Sequence, residues 1–167
     1  MATFPVRLFG DPGLRRPTTP IETIDASLVR LAEDMIETMY EAAGVGLAAN
    51  QIGVQRRLFV YDVGAGPGIV LNPEIVESSG EWVYPEGCLS IPDLRWDLLR
   101  PKQVRLRGIS IEGEELDLDA DDLLARCFLH EVDHLDGILV LERLDPDQRR
   151  EAMRVLRQRT LALANPA

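Results

Sequence analysis

A chain of 167 residues, 46% hydrophobic and 28% charged, has the make-up of one soluble globular domain. It is long enough to bury roughly two thirds of its unfolded surface. A net charge of −10 excludes the electrostatics of a general nucleic-acid binder and gives no reason to expect specific DNA binding.

No apolar run approaches membrane-spanning length, and the stretch from Met1 to Gly10 lacks the apolar core of a signal peptide. The expectation is a cytoplasmic protein with no membrane partner. In that compartment Cys88 and Cys127 read as ligand, nucleophile or core filler, not as a disulfide. The chain shows no internal repeat or linker, so residues 1–167 are expected to form a single domain. Residues 11–20 read as irregular chain, rich in proline. Asp25 then suits an N-cap, and Leu28, Leu31, Ala32, Met35, Ile36 and Met39 recur at helical spacing. That pattern predicts an amphipathic helix over 26–43, ended by Gly44, with the Met35 and Met39 stripe as core.

Strand-like runs follow at Leu58 to Val63, Ile69 to Val76, Glu81 to Tyr84 and Val104 to Ile111. Asp119 to Asp122 reads as the opening of a second helix. Its apolar face is Leu123, Leu124, Cys127, Phe128, Val132 and Leu135, and Gly137 ends it. Ile138 to Leu141 is a short strand candidate. Asp145 and Pro146 then start a final helix reaching Ala164. Strands grouped without intervening helices predict an α+β fold: antiparallel strands around a buried helix, with N-terminal and C-terminal helices. From Asp145 onward the local charge is +2, leaving −12 on the rest of the chain.

The second helix carries both histidines of the chain, in His130-Glu131-Val132-Asp133-His134. Residues i and i+4 lie on one helical face, so both imidazoles can reach one metal ion. Glu131 sits about 100° further round, within reach of a water on that ion without joining the ligand set. Asp133 points to the opposite side. A catalytic centre needs a third protein ligand and an open position.

Several residues compete for that third place. In the H-E-x-x-H-x-x-G-x-x-H proteases it is a histidine, but Val140 stands there. Glu142 is too near to return to the site, and Glu151 sits among arginines. Cys127 lies one turn before His130, about 10 Å along the axis from His134, and reads better as apolar wall. Cys88 lies in Glu86-Gly87-Cys88-Leu89-Ser90, a glycine-containing turn after a strand, where a thiolate could complete a Cys-His-His set.

Three motifs in order resemble those of the peptide deformylases. They are Gly44-Val45-Gly46-Leu47-Ala48-Ala49-Asn50-Gln51, then Glu86-Gly87-Cys88-Leu89-Ser90, then His130-Glu131-Val132-Asp133-His134-Leu135-Asp136-Gly137. Asp11-Pro12-Gly13-Leu14-Arg15 is also similar to the family's N-terminal segment.

The resemblance implies Cys88, His130 and His134 as metal ligands and Glu131 as the catalytic acid and base. It implies Gln51 and the Leu89 N–H as oxyanion donors, and Gly46 as a main-chain contact to the substrate peptide. Arg95 would line the far end of that peptide, and Cys127 the pocket for the methionine side chain. The implied cofactor is Fe(II), with Zn, Ni or Co as substitutes. The implied substrate is a nascent peptide beginning with N-formylmethionine, cleaved to formate and a free N-terminus.

In some members of the family the C-terminal helix docks on the ribosome. The basic helix here would allow it, the alternative being that Met153, Leu156, Leu161 and Leu163 pack on the domain while the arginines are solvated. One departure is Leu129, where the family usually has glutamine; the expected consequence is a lost hydrogen bond behind the ligands. Two other readings make different predictions. An H-E-x-x-H metallopeptidase using Glu151 would keep its metal in Cys88→Ala. A non-catalytic metal-binding module would be indifferent to Glu131→Gln.

Overall fold

The computed structural model describes residues 2–165. Asp25 caps helix α1 (Ala26–Glu41) by accepting the Leu28 N–H at 2.9 Å. Leu28, Ala32, Met35 and Met39 form its fully buried face, and each larger side chain contributes roughly 1.5–3 kcal/mol. The methionine stripe is core. The helix stops short of residue 43, and the left-handed residue after it is Ala43 (φ 55°), not Gly44. Gly44 instead lies against the hairpin turn, where a Cβ would stand 2.7 Å from Leu89 Cδ1, the tip of a flexible side chain.

Seven strands follow among the described residues. They are β1 (Gly46–Ala48), β2 (Leu58–Tyr61), β3 (Gly68–Ser79), β4 (Trp82–Cys88), β5 (Ile91–Arg100), β6 (Gln103–Ile109) and β7 (Glu115–Asp121). Five form an antiparallel sheet in the order β1-β2-β3-β6-β7, while β4 and β5 make a separate hairpin. Helix α2 (Asp122–Leu135) lies between sheet and hairpin, and α3 (Pro146–Ala164) closes the chain. The α+β architecture is the one the sequence predicts.

The sheet buries both faces. Alternation along β2 sends Leu58 and Val60 into the α1 core, and Phe59 and Tyr61 towards α2. Phe128 of α2 meets Phe59 and Tyr61 at ring separations of 5.8 and 5.0 Å. A third cluster joins Ile91 and Leu98 of β5 to Val140, Leu141, Leu144 and, on α3, Ala152 and Leu156.

Three expectations need correction. Of Asp119 to Asp122, Asp119 and Ala120 belong to β7, and the helix opens only at Asp121 and Asp122. Leu116, Leu118 and Ala120 alternate inward with outward acids along β7, and Asp121 is the N-cap of α2. Ile138 to Leu141 is not a strand: Val140–Arg143 is a 3₁₀ turn whose Val140 and Leu141 fill the third cluster. On α3 the Asp145 cap and Pro146 at the first position hold, with Gln148 completing a capping box, but Leu161 and Leu163 are exposed rather than packed.

Candidate metal centre

Helix α2 has two working faces. Ala125, Phe128, Val132 and Leu135 pack on the sheet, while Arg126, His130 and His134 turn to the hairpin. Asp133, expected on the opposite side, turns there with them because it lies only about 60° round the helix from His130. The hairpin answers with Cys88 at the end of β4. Cys88 Sγ lies 3.3 Å from His134 Nε2, and the two Nε2 atoms lie 3.1 Å apart. All three ligand atoms fall within 4.8 Å of one another. Tetrahedral binding at ordinary metal–ligand lengths needs about 3.3 Å between nitrogens and about 3.6 Å from nitrogen to sulfur. One ion therefore fits all three.

The electrostatics suit a cation. Burial pushes the Cys88 thiol up, but the His134 and His130 imidazoles overcome this and hold it well below its ordinary value. His130 moves the other way: against burial, Cys88 and Glu86 raise it well above the usual imidazole range. Its Nδ1 bonds Glu86 Oε2 at 2.9 Å, which turns Nε2 towards the centre. Leu129 itself packs with the α2–sheet core.

Glu86 belongs to a buried ionic network that the sequence did not reveal. Arg100 donates to both of its oxygens, from Nε at 2.9 Å and Nη2 at 2.8 Å, and to Asp133 Oδ2 at 2.9 Å. Arg126 adds Nη1 to Glu86 Oε1 at 3.2 Å and lies over the Trp82 and Tyr84 rings. Arg143 closes on Asp133 from the far side. Burial would raise Glu86; His130 and Arg100 hold it well below the usual carboxylate range. Only the position of Glu86 within the second motif hinted at this role.

Beside the ligands a cavity of about 450 Å³ opens, lined by Gly46, Gln51, Cys88, Leu89, Arg95, Cys127, His130 and Glu131. Every residue singled out in the sequence except His134, buried just behind, is brought to it. Glu131 is buried, its carboxyl is raised by that burial, and its Oε2 has no partner among the described residues. Gly46 runs so close that a Cβ there would meet Glu131 Oε1 at 2.5 Å and Cys127 Sγ at 2.8 Å.

Gln51 is a buried amide. Its Oε1 accepts the Ala48 N–H at 2.9 Å, and its Nε2 donates to Ser90 Oγ at 3.2 Å. Cys127 is buried, bonds Val45 O at 3.5 Å, and is kept a thiol as burial pushes it well up. Arg95 is exposed at the rim, donating to Pro85 O at 3.3 Å. The rival ligands are engaged elsewhere. Glu142 caps the 3₁₀ turn and pairs with Arg15, and Glu151 pairs with Arg154 at 2.6 Å in solvent.

The chain is similar to known proteins over most of its length. The peptide deformylase of Acidothermus cellulolyticus is 51% identical over 158 residues, covering 95% of this chain and 88% of that one. That of Thermotoga neapolitana is 45% identical over 163 residues, covering 97% of each. The crystal structure of a peptide deformylase from Legionella pneumophila matches with a TM-score of 0.90 at 38% identity, covering 99% of this chain and 100% of that one. That of the Thermus thermophilus peptide deformylase gives 0.88 at 44% identity, covering 93% of each. A sequence model of the family described as polypeptide deformylase matches residues 3–150, and with a Cys-His-His centre assembled beside a buried glutamate, the chain belongs to that family.

Proposed function

We propose that this cavity removes the formyl group from the N-terminal formylmethionine of nascent proteins, releasing formate. The observation that carries the reading is the convergence of Cys88, His130 and His134 on one point, with the unpartnered Glu131 carboxylate in the same cavity. One thiolate and two imidazoles suit Fe(II), with Zn, Ni or Co as substitutes, and such an ion supplies Lewis acidity to water and to the formyl oxygen.

The chain's own residues do the rest. Glu131 takes the proton of the water that adds to the formyl carbon, then gives it to the departing amine nitrogen as the C–N bond breaks. Burial raises its carboxyl, which favours that exchange. Gln51, which lines the cavity, donates to the developing oxyanion: its Oε1 is held by the Ala48 N–H, and of its two amino hydrogens one goes to Ser90 Oγ and the other is left to give. The Leu89 N–H is the second donor. Gly46 pairs with the substrate main chain, Arg95 holds its far end, and Cys127 walls the methionine side-chain pocket.

Residues 1–167 act as one catalytic domain, since the sheet, the hairpin and all three helices contribute to shared cores. Work on nascent chains supports a cytoplasmic location, and among the described residues no helix is long and apolar enough to cross a membrane. A second role falls to α3, which exposes Arg149, Arg150, Arg154 and Arg157 and leaves Leu161 and Leu163 uncovered. These support ribosome docking through phosphate contacts.

The direct test is formate release from a formyl-Met peptide by anaerobically prepared, Fe(II)-loaded protein. Stoichiometric formate and free amine are expected. Metal-replete protein that releases neither refutes the reading.

A further inference from the structure

The two proposed oxyanion donors come from parts of the fold that share no strand ladder. Gln51 follows β1 of the five-stranded sheet, and Leu89 lies in the turn of the β4–β5 hairpin. Their spacing must therefore be set by individual contacts. One is the side-chain bond from Gln51 Nε2 to Ser90 Oγ. Leu89 also packs into the α1 core, and two further hydrogen bonds come from the N-terminal arm, residues 2–10.

In that arm the Arg7 N–H donates to Gln51 O at 2.6 Å, and the Phe9 N–H donates to Ser90 O at 2.8 Å. The two donors stand two residues apart, just before and at the start of the turn closed by the Asp11 N–H on Leu8 O, so one short stretch grips both segments at once. The arm is itself pinned at either end. Upstream, the Phe4 N–H donates to Thr38 Oγ1 at 3.1 Å and the Ala2 N–H to Asp34 Oδ1 at 2.7 Å, both on α1. Phe4 and Val6 pack into the α1 core, while Phe9 packs with Ile91 and Leu98 on the hairpin side.

We propose that Arg7 and Phe9 are positioning residues, whose main-chain N–H groups fix the Gln51 amide and the Leu89 N–H at the spacing the oxyanion requires. This rests on the reading of Gln51 and Leu89 as donors. The arm touches no reacting atom; it acts through the two segments it joins. Donors of this kind work only when they are in place before charge develops, so a loosened arm costs turnover and not metal or substrate affinity.

The test compares Arg7→Pro, which removes the N–H, with Arg7→Ala, which keeps it and loses only the side chain. Both are made in the parent and in a Gln51→Ala background, and kcat, KM and bound metal are read for each. We expect kcat about ten-fold lower for proline than for alanine, with KM within about two-fold and metal unchanged; misplacement by a full 1 Å costs up to about 10²-fold. In the Gln51→Ala background that difference disappears, because the donor being positioned is gone.

If the proline–alanine difference is absent in the parent, or equally large in both backgrounds, the arm is structural and the proposal is overturned. Undiminished kcat in Gln51→Ala alone overturns the donor reading and the arm's role with it. Should Arg7→Pro fail to fold, an ester in place of the Val6–Arg7 amide removes the same hydrogen without the proline ring and is held to the same outcomes.

Discussion

Gly46→Ala adds one methyl group at the most crowded point of the cavity. The new Cβ would stand 2.5 Å from Glu131 Oε1, 2.9 Å from Glu131 Cδ and 2.8 Å from Cys127 Sγ, where ordinary contact begins at 3.4 Å. Strand β1 is paired with β2 along its whole length and cannot easily retreat, so the carboxylate has to move. A shift of roughly 1 Å in a catalytic group costs on the order of 10²-fold in turnover. The ligands are not touched, so metal content should hold. The assay is kcat for formate release together with elemental analysis.

Gly44→Ala is the matched comparison. Its Cβ would meet Leu89 Cδ1 at 2.7 Å, the far end of a flexible side chain that can rotate away. A loss of a few-fold at most is expected. Equal turnover in the two variants would refute the argument that Gly46 makes room for Glu131.

Replacing Cys88, His130 or His134 by Ala should leave less than about a tenth of the bound metal, because two ligands hold a divalent ion poorly; elemental analysis showing full retention in Cys88→Ala contradicts its assignment. Glu131→Ala should keep metal and fold yet lose about 10²-fold or more in kcat, and near-normal turnover in a metal-replete preparation removes it as acid and base. Glu86→Ala strands Arg100, Arg126 and the Nδ1 of His130 inside the protein. Urea titration should show a loss of about 3–5 kcal/mol, and metal affinity should fall about 10–100-fold; no change in either means the network is idle. Reversing Arg150, Arg154 and Arg157 to Glu should abolish salt-sensitive ribosome co-sedimentation while sparing a free formyl-Met peptide, and a variant that sediments like the parent shows α3 to be structural.

What the sequence made legible follows from the range of each signal. The ligand helix is read from spacing alone, since His130 and His134 need only the helical period to share a face. The third ligand is another matter. Cys88 lies 42 residues before His130 in number; helix rise set Cys127 aside, but only the resemblance of Glu86 to Ser90 to a known motif made Cys88 a ligand and not core filler. Strand β5 was missed because its inward positions, Leu94, Trp96, Leu98 and Arg100, end on an arginine, and Pro92 stands near its start. Strand β7 was missed because outward acids at Asp117, Asp119 and Asp121 look like a helix-capping run when its inward Leu116, Leu118 and Ala120 are not read at period two.

The buried network shows where local signals end. Glu86, Arg100, Arg126 and Asp133 are ordinary surface residues by type, and nothing in their spacing announces burial. They are buried because the hairpin has no ladder to the sheet and must be held to α2 in another way. Charge pairs of this kind contribute little net stability, but they fix orientation, and orientation is what a shared metal centre needs. Cys88 comes from the hairpin and both histidines from α2, so the ligand set is correct only if those two elements meet in one register. Glu86 answers that need directly, gripping Arg100 on its own hairpin, Arg126 on α2 and the His130 ring with one carboxylate. Leu129 falls on the sheet side of α2, where apolar packing is wanted, while the hydrogen bond to His130 arrives from the hairpin side.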